Sequence, residues 1–384
     1  MQKIEYQFDA TTPLERDVHI GVVGSGDLEI LLTNPSIPGK ARIQVRTSVD
    51  GFDTVWRRVL ARFFDRHCVS ADYRINDFGA TPGMVNLRLS QAVEAASNSS
   101  TTNPRRSITT QVEDGPFTEL NARERARVVL DPGSFREILG PFAGIESPHL
   151  ETQGVVPESD DGAVVARGTL NGQSAVVVSL EGKFQGGGIG EISGAKIAGV
   201  LERALKDTQD GRMTRVVLLL ETGGIRLQEA NLGLLAIAEI HAGIIALQKY
   251  TPVTAVVAGT VGCFGGMGIA AALCDHIVMT RGARLGLNGP EVIETEAGVG
   301  EIDASDRPAI WSMVGGEQRV ASGRAEVLVD DDVLEVRTAV IGIDESLLGQ
   351  HRKRFDLVRS DTKRLDPEAR PSPSALHIRT ERSN

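Results

Sequence analysis

Residues 215–230 read Arg-Val-Val-Leu-Leu-Leu-Glu-Thr-Gly-Gly-Ile-Arg-Leu-Gln-Glu-Ala. Arg215 to Leu220 is predicted as a strand: the five residues after Arg215 are apolar without alternation, the pattern of a strand covered on both faces in a parallel sheet. Thr222-Gly223-Gly224 ends that strand, and a helix is predicted near Glu229 to Gln248. The same order recurs downstream. Val253 to Ala258 is a second buried strand, and Gly262-Cys263-Phe264-Gly265-Gly266-Met267-Gly268 is a second turn. A helix from Gly268 to Leu273 and a strand from His276 to Thr280 follow. Upstream, Val164 to Leu170 and Ser174 to Leu180 flank Asn171-Gly172, a dipeptide that accepts positive φ at both positions of a two-residue hairpin loop. A helix near Ile192 to Lys206 and helical patterns at Asn121 to Leu130 and Phe135 to Leu139 complete the unit. Repeated strand-to-helix crossovers predict an α/β domain with a largely parallel sheet over residues 119–340.

A third glycine cluster, Gln185-Gly186-Gly187-Gly188-Ile189-Gly190, also stands before a helix. Glycine permits positive φ and close backbone approach. A helix start leaves outward-pointing N–H groups without intrahelical partners. Together these features can hold an anion or a developing oxyanion. None of the three turns reads GxxxxGK[ST], and Gly186-x-Gly188-x-x-Glu191 does not complete GxGxxG, so a nucleotide fold is weakly supported. The competing reading is that the glycines only allow helices to pack closely on the sheet.

The chain has 384 residues, 41% of them hydrophobic, and a formal net charge of −10. That length admits two domains, and the charge argues against general affinity for nucleic acid. Cys68, Cys263 and Cys274 form no metal-ligand spacing, so no metal site is expected. Met1 is not followed by a basic-then-apolar leader, and no apolar run reaches about 18 residues. The expectation is a cytoplasmic protein with reduced thiols and no membrane contact.

Residues 1–96 make a separate small α+β unit. Val18 to Val23, Leu28 to Leu32 and Ala41 to Val49 alternate like strands, with Gly24-Ser25-Gly26-Asp27 as a tight hairpin turn between the first two. Asp53 to His67 has helical spacing, Tyr73 to Asp77 is a further strand, and Met84 to Leu89 is another alternating segment. Residues 97–118 contain Ser-Asn-Ser-Ser-Thr-Thr-Asn-Pro and read as a flexible linker. About 20 such residues span roughly 25 Å, which keeps two modules at an effective concentration on the order of millimolar. Residues 341–384 are polar and rich in Arg and Lys, a tail expected to lack fixed structure.

Glu221-Thr-Gly-Gly-Ile-Arg-Leu-Gln-Glu-Ala230 and Gly289-Pro290-Glu291-Val292-Ile293-Glu294 resemble segments of the carboxyltransferase β subunits of the crotonase superfamily. Residues 119–340 are most similar to the β subunits of biotin-independent malonate decarboxylases. Val23-Gly-Ser-Gly-Asp-Leu28 and Ile75-Asn-Asp-Phe-Gly-Ala-Thr-Pro-Gly83 resemble their acyl-carrier δ subunits, so two usual chains are fused here. The resemblance implies a crotonase-like (ClpP/crotonase) carboxyltransferase domain preceded by a small α+β acyl-carrier domain.

On spacing alone Ser25 is a turn residue. The resemblance implies that it carries a 2'-(5''-phosphoribosyl)-3'-dephospho-CoA arm whose thiol holds acetyl or malonyl, with no biotin and no metal. Residues 1–95 hold eleven Lys and Arg against twelve Asp and Glu, so an acidic recognition field is absent and the tether supplies proximity instead. Decarboxylation leaves negative charge on the thioester oxygen, and the superfamily stabilises such an enolate with two backbone N–H donors. Matching places one at Gly223, with Gly224 adjacent, and the other at Gly266, with Gly265 adjacent. Gly187, Gly188 and Arg226 are candidates to hold the arm, and Arg226 has a structural salt bridge as its equal alternative. Cys263 reads as a small buried residue rather than a nucleophile. Where hydratases of the superfamily carry a catalytic glutamate, this sequence has Ile269. Glu191, Glu229, Glu291 and Glu294 are unranked candidates for the proton donor. Implied partners are a γ subunit that completes the site, an α subunit that exchanges acetyl for malonyl, and a prosthetic-group transferase. The alternatives are a biotin-dependent carboxyltransferase β subunit and a non-catalytic scaffold that presents the carrier.

Overall fold

A computed structural model describes residues 1–97 and 115–343. The first unit runs β1 (Gln2–Asp9), β2 (Thr12–Pro13), β3 (Val18–Ile20), β4 (Leu28–Thr33), β5 (Lys40–Thr47), α1 (Asp53–Phe64), β6 (Val69–Ser70), β7 (Asp72–Asp77) and α2 (Pro82–Ser97). Its five-stranded sheet has the order β1-β5-β7-β4-β3, and β2 pairs only with β6. β5 and β7 are parallel and connect through α1, while the other pairs of the five-stranded sheet are antiparallel. Strand alternation divides this sheet. Leu28, Ile30, Leu32, Ile43, Val45, Tyr73 and Ile75 pack on one side with Trp56, Leu60, Phe63, Val85 and Leu89 of the two helices. Glu29, Gln44, Arg46, Arg74 and Asn76 are left on the other side.

Two expectations change here, and one strand is added. Met84 to Leu89 lies inside α2, where Val85, Leu89, Ala92 and Ala96 are buried at helical spacing behind Pro82. Gln2–Asp9 is an edge strand that went unrecognised because Tyr6 alone is buried. Gly24 to Asp27 forms the expected tight turn, with Asp27 N–H donating to Gly24 O (2.9 Å), but it does not close the β3–β4 hairpin directly. Pairing stops at Ile20↔Ile30, and Val22 and Val23 leave the sheet to be buried elsewhere.

The larger unit holds α3 (Ala122–Val129), β8 (Arg136–Ile138), β9 (Ala163–Leu170), β10 (Gln173–Leu180), α4 (Glu191–Gln209), β11 (Arg215–Leu220), α5 (Asn231–Leu247), β12 (Val253–Val257), α6 (Gly265–Leu273), β13 (His276–Thr280), α7 (Pro290–Ala297), α8 (Arg307–Val314), α9 (Gly316–Ala321), β14 (Val327–Val329) and α10 (Val333–Ile341). The seven strands lie in the order β14-β13-β12-β11-β10-β9-β8, parallel from β10 to β14. Val216, Leu218 and Leu220 share a core with α4, α5 and α6 through Ile197, Leu201, Ile237, Ile240 and Met267. Val217 and Leu219 face α3 and α10 through Ala126, Val129, Val336 and Val340. Asn171 and Gly172 turn at φ 51° and 79°, as their dipeptide requires. Phe135 to Leu139 contains a strand, β8, instead of a helix: three residues pair with β9 at the sheet edge. Of the expected linker, residues 98–114 lie outside the described residues. Its last residues fold with the larger unit, where Phe117 is fully buried. Residues 344–384 of the expected tail also lie outside the described residues, whereas Ile341 ends α10 and Ile343 is buried.

The two units meet through the polar face of the five-stranded sheet. Glu29 accepts from the Asn76 amide (2.6 Å), from the Ser159 hydroxyl (2.9 Å) and from the Ser159 N–H (3.2 Å). His19 Nε2 lies 2.8 Å from Glu29 and its Nδ1 3.1 Å from Arg123. Because a guanidinium only donates, Nδ1 accepts and the ring proton sits on Nε2. Arg46 makes two bonds to Glu146 (2.6 and 2.8 Å) and one to Glu151 (3.0 Å). Beside this polar seam, Val22, Val23 and Phe78 pack with Leu150, Val156 and Phe184.

Glu158 lies at the seam with its Oε2 buried and unpartnered among the described residues. Burial, and then the charges of Asp160, Glu29 and Glu181, push its carboxyl well above the ordinary value of 4.5. Asp160, which burial alone would raise, is pulled below its usual range by Arg123 and Lys196. The folded protein therefore keeps a proton on Glu158 that the unfolded chain releases above about pH 4.5, so this residue subtracts stability as pH rises from there. Glu158→Gln should match wild type near pH 5 and become progressively more stable than it towards pH 8 in denaturant titrations. A gap that stays constant with pH would show Glu158 to be ionised in the fold.

Candidate functional site

The three glycine turns lie side by side beyond the carboxyl ends of the parallel strands, where α/β sheets place ligands. Short parallel bridges lash them together: Ile189 to Ile225, Thr222 to Cys263, and Cys263 to Leu285. The backbone bonds are Ile189 N–H to Gly224 O (2.8 Å), Thr222 N–H to Gly262 O (2.7 Å) and Cys263 N–H to Arg284 O (2.8 Å). Glycine is required where the turns touch. Gly224 has φ 116°, and a Cβ there would stand 3.2 Å from the Gly265 Cα. Gly265 has φ 61°, with the Gly224 Cα 3.1 Å from its own built Cβ.

The four expected donor positions are thus brought together, but they are not equivalent. The Gly223 N–H donates to Gly186 O (2.8 Å), the Gly224 N–H to Thr222 Oγ1 (3.0 Å) and the Gly265 N–H to Leu287 O (2.6 Å). The N–H groups of Gly266 and Met267, in the first turn of α6, have no hydrogen-bond partner among the described residues. His241 Nε2 lies 2.8 Å from the Gly266 carbonyl and braces this turn from α5. Gly266 therefore keeps the geometry of a donor, whereas Gly223, Gly224 and Gly265 hold the turns in register. Met267 was missed, since no side-chain pattern marks a backbone N–H.

The candidates for holding an arm have other tasks. A Cβ at Gly187 would come within 2.0 Å of Glu221 O, and one at Gly188 within 3.3 Å of the Arg226 Cα. Both are places where the first turn crosses the second, and both are buried. Arg226 is fully buried, 2.6 Å from Asp161 Oδ1, 3.5 Å from Glu229 Oε1 and 3.1 Å from Gly188 O. Of the two readings of Arg226, its surroundings are those of the structural salt bridge.

Glu229 is occupied as well: it accepts from the Glu191 N–H at 2.5 Å and from the Ser147 hydroxyl. Glu294 accepts the Ala304 N–H at 2.6 Å, and Glu291 is exposed on α7. Glu191, at the first residue of α4, is partly exposed and 2.9 Å from His149 Nε2, a partner that no motif announced. Cys263 is buried, which pushes its thiol well above the ordinary value and away from nucleophilic use. Ile269 is half-exposed on α6. Among the described residues no group of three or more His, Cys, Asp or Glu could hold a metal ion, and no helix is long and apolar enough to cross a membrane.

Ser25 is exposed, as is Gly26, whose built Cβ meets nothing within 4 Å, so a covalent substituent has room at this turn. Gly24 is buried against Lys183, with 3.2 Å between its built Cβ and the lysine Cβ. Gly186 lies three positions after Lys183, a span of at most about 11 Å, and Gly186 O is the partner of Gly223 N–H. The serine turn and the glycine cluster are therefore neighbours in the folded chain.

Comparison with known proteins agrees with both halves. Residues 15–96 match the family model "Malonate decarboxylase delta subunit (MdcD)", and residues 115–354 match "Carboxyl transferase domain". The malonyl-S-ACP:biotin-protein carboxyltransferase MADC of Malonomonas rubra is 41% identical over 244 residues, 61% of this chain and 77% of the relative. The malonate decarboxylase acyl carrier protein of Pseudomonas savastanoi is 47% identical over 95 residues, 24% of this chain and 95% of the relative. A chain of the Pseudomonas malonate decarboxylase hetero-tetramer, solved with malonate, superposes with a TM-score of 0.62 at 57% identity, covering 69% of this chain and 97% of that one. The chain belongs to the carboxyl transferase family, as a β-type subunit fused behind a malonate decarboxylase acyl-carrier domain.

Proposed function

We propose that this chain is the carrier and decarboxylase component of a malonate decarboxylase, holding its acyl group at Ser25 and removing CO2 at the start of α6. The observation that carries the reading is the exposed Ser25 turn docked beside the glycine cluster within one chain. The group attached there is 2'-(5''-phosphoribosyl)-3'-dephospho-CoA, which supplies the thiol that binds acetyl or malonyl. The Gly266 and Met267 N–H groups are aimed by the α6 backbone, need no protonation, and favour the negative charge that develops on the thioester oxygen as CO2 leaves.

A γ partner completes the site, an α subunit exchanges acetyl for malonyl, and a transferase attaches the arm. The apolar surface supports a partner. α5 exposes Leu234, Leu235 and Ile245, α6 exposes Ile269, and Leu287 and Val292 are exposed nearby in sequence.

Intact mass and peptide mapping of the chain, expressed with its native modification enzymes, test the premise. The expected result is an increment on the Ser25 peptide, with Ser25→Ala reducing decarboxylation by the reconstituted complex to background. An unmodified Ser25 in an active complex would remove the reading. The Malonomonas relative favours a second one, in which the carboxyl group passes to a biotin protein. Loss of activity on adding avidin selects that reading, and avidin-insensitive turnover selects the first.

A further inference from the structure

The turn that carries Ser25 is gripped on both sides. Asp27 is paired with Arg88 of α2 (2.5 and 2.8 Å) and accepts the Leu28 N–H at 2.8 Å. Val22 and Val23 are buried with Leu150, Val156 and Phe184 of the larger domain. Between these anchors, Gly24 is seated on Lys183. Lys183 is exposed, and its ammonium makes no hydrogen bond or ion pair among the described residues. The acidic group that feels it, Glu181, is buried and already accepts the N–H groups of Ala122 (2.9 Å) and Lys183 (3.1 Å). An uncommitted cation of one domain thus belongs to a residue packed on Gly24, which immediately precedes the exposed serine of the other.

We propose that Lys183 is the counter-ion of the phosphate that joins the prosthetic arm to Ser25, so that attaching the arm tightens the docking of the two domains. This rests on the reading of Ser25 given above. A phosphodiester at Ser25 places one negative charge and two acceptor oxygens beside Gly24. A lysine on a flexible four-carbon stem meets them as a mobile point charge. The same contact marks the loaded carrier: without the arm, Lys183 gains nothing from the carrier domain except the packing of its stem on Gly24.

The test uses the full chain in its loaded and unloaded forms, separated by intact mass. Hydrogen–deuterium exchange is followed over residues 22–28 and 181–187 in wild type, Lys183→Ala and Lys183→Arg. Loading should slow exchange about two- to five-fold in wild type and Lys183→Arg, as befits an exposed ion pair, and leave Lys183→Ala unchanged. Equal slowing in Lys183→Ala, or none in wild type, overturns the assignment to Lys183 while Ser25 attachment stands. The absence of any increment on Ser25 overturns the attachment reading, and this proposal with it.

Discussion

Gly265→Ala should lower decarboxylation by the assembled complex about 10²-fold while leaving the protein folded. Two costs follow from one methyl group. The residue sits at φ 61°, where an alanine costs about 1–2 kcal/mol. Its Cβ would also press on the Gly224 Cα at 3.1 Å, and Gly224 cannot retreat freely because its carbonyl holds Ile189 N–H and its amide holds Thr222. The start of α6 must then shift, carrying the Gly266 and Met267 N–H groups off the oxygen they serve. Losing one such donor costs about 10²–10³ in turnover, and a misplacement of about 1 Å costs about 10². Because the donors act on charge that develops during reaction, kcat should fall and KM should hold. Gly172→Ala is the control. It too has a positive φ, 79°, but nothing within 4 Å of its Cβ, in a hairpin loop outside the glycine cluster. It should bear the conformational cost without the clash and keep full turnover. Equal turnover by the two variants would remove the α6 start from the mechanism.

Local features of this protein were legible, and long-range pairings were not. β11 and β13 match their expected limits to the residue because each is an apolar run bounded by turn residues. The glycine turns were legible because glycine announces a backbone requirement wherever it stands. Met84 to Leu89 misled because apolar residues at 84, 85, 87 and 89 fit both periods, and only Ala92 and Ala96 extend the helical one. β8 is three residues long and is defined by its partner β9. Val22 and Val23 continue a strand-like alternation, yet they are buried by a domain more than 120 residues away in sequence. The polar seam follows the same logic: Arg46 finds Glu146, and Glu29 finds Ser159, across 100 and 130 residues. No single-sequence periodicity encodes such pairs. The family resemblance supplied the identity of both domains, but not the docked face of the carrier sheet.

Arg226 illustrates the limit most sharply, and its replacement carries the largest expected loss of stability. Its position in the Thr-Gly-Gly-Ile-Arg segment suggests a hand for an anionic arm, but its partner Asp161 is 65 residues earlier. Arg226→Met removes the guanidinium that pairs with two buried carboxylates, Asp161 and Glu229. It also leaves the carbonyls of Asp161 and Gly188 without donors they now use. Removing one partner of such a buried pair costs about 3–5 kcal/mol. Burial already holds Asp161 above its usual value against the pull of Arg226, so without the guanidinium it should take up a proton in the fold. The unfolded chain releases that proton above the ordinary aspartate range, so the variant's deficit should grow as pH rises and shrink as pH falls towards 5. Urea unfolding of wild type and Arg226→Met at pH 5 and pH 8 measures both effects. A variant within about 1 kcal/mol of wild type at pH 8 would show that the buried cluster tolerates the loss. The arm-binding alternative for Arg226 would then need testing by the affinity of the variant for a thioester ligand.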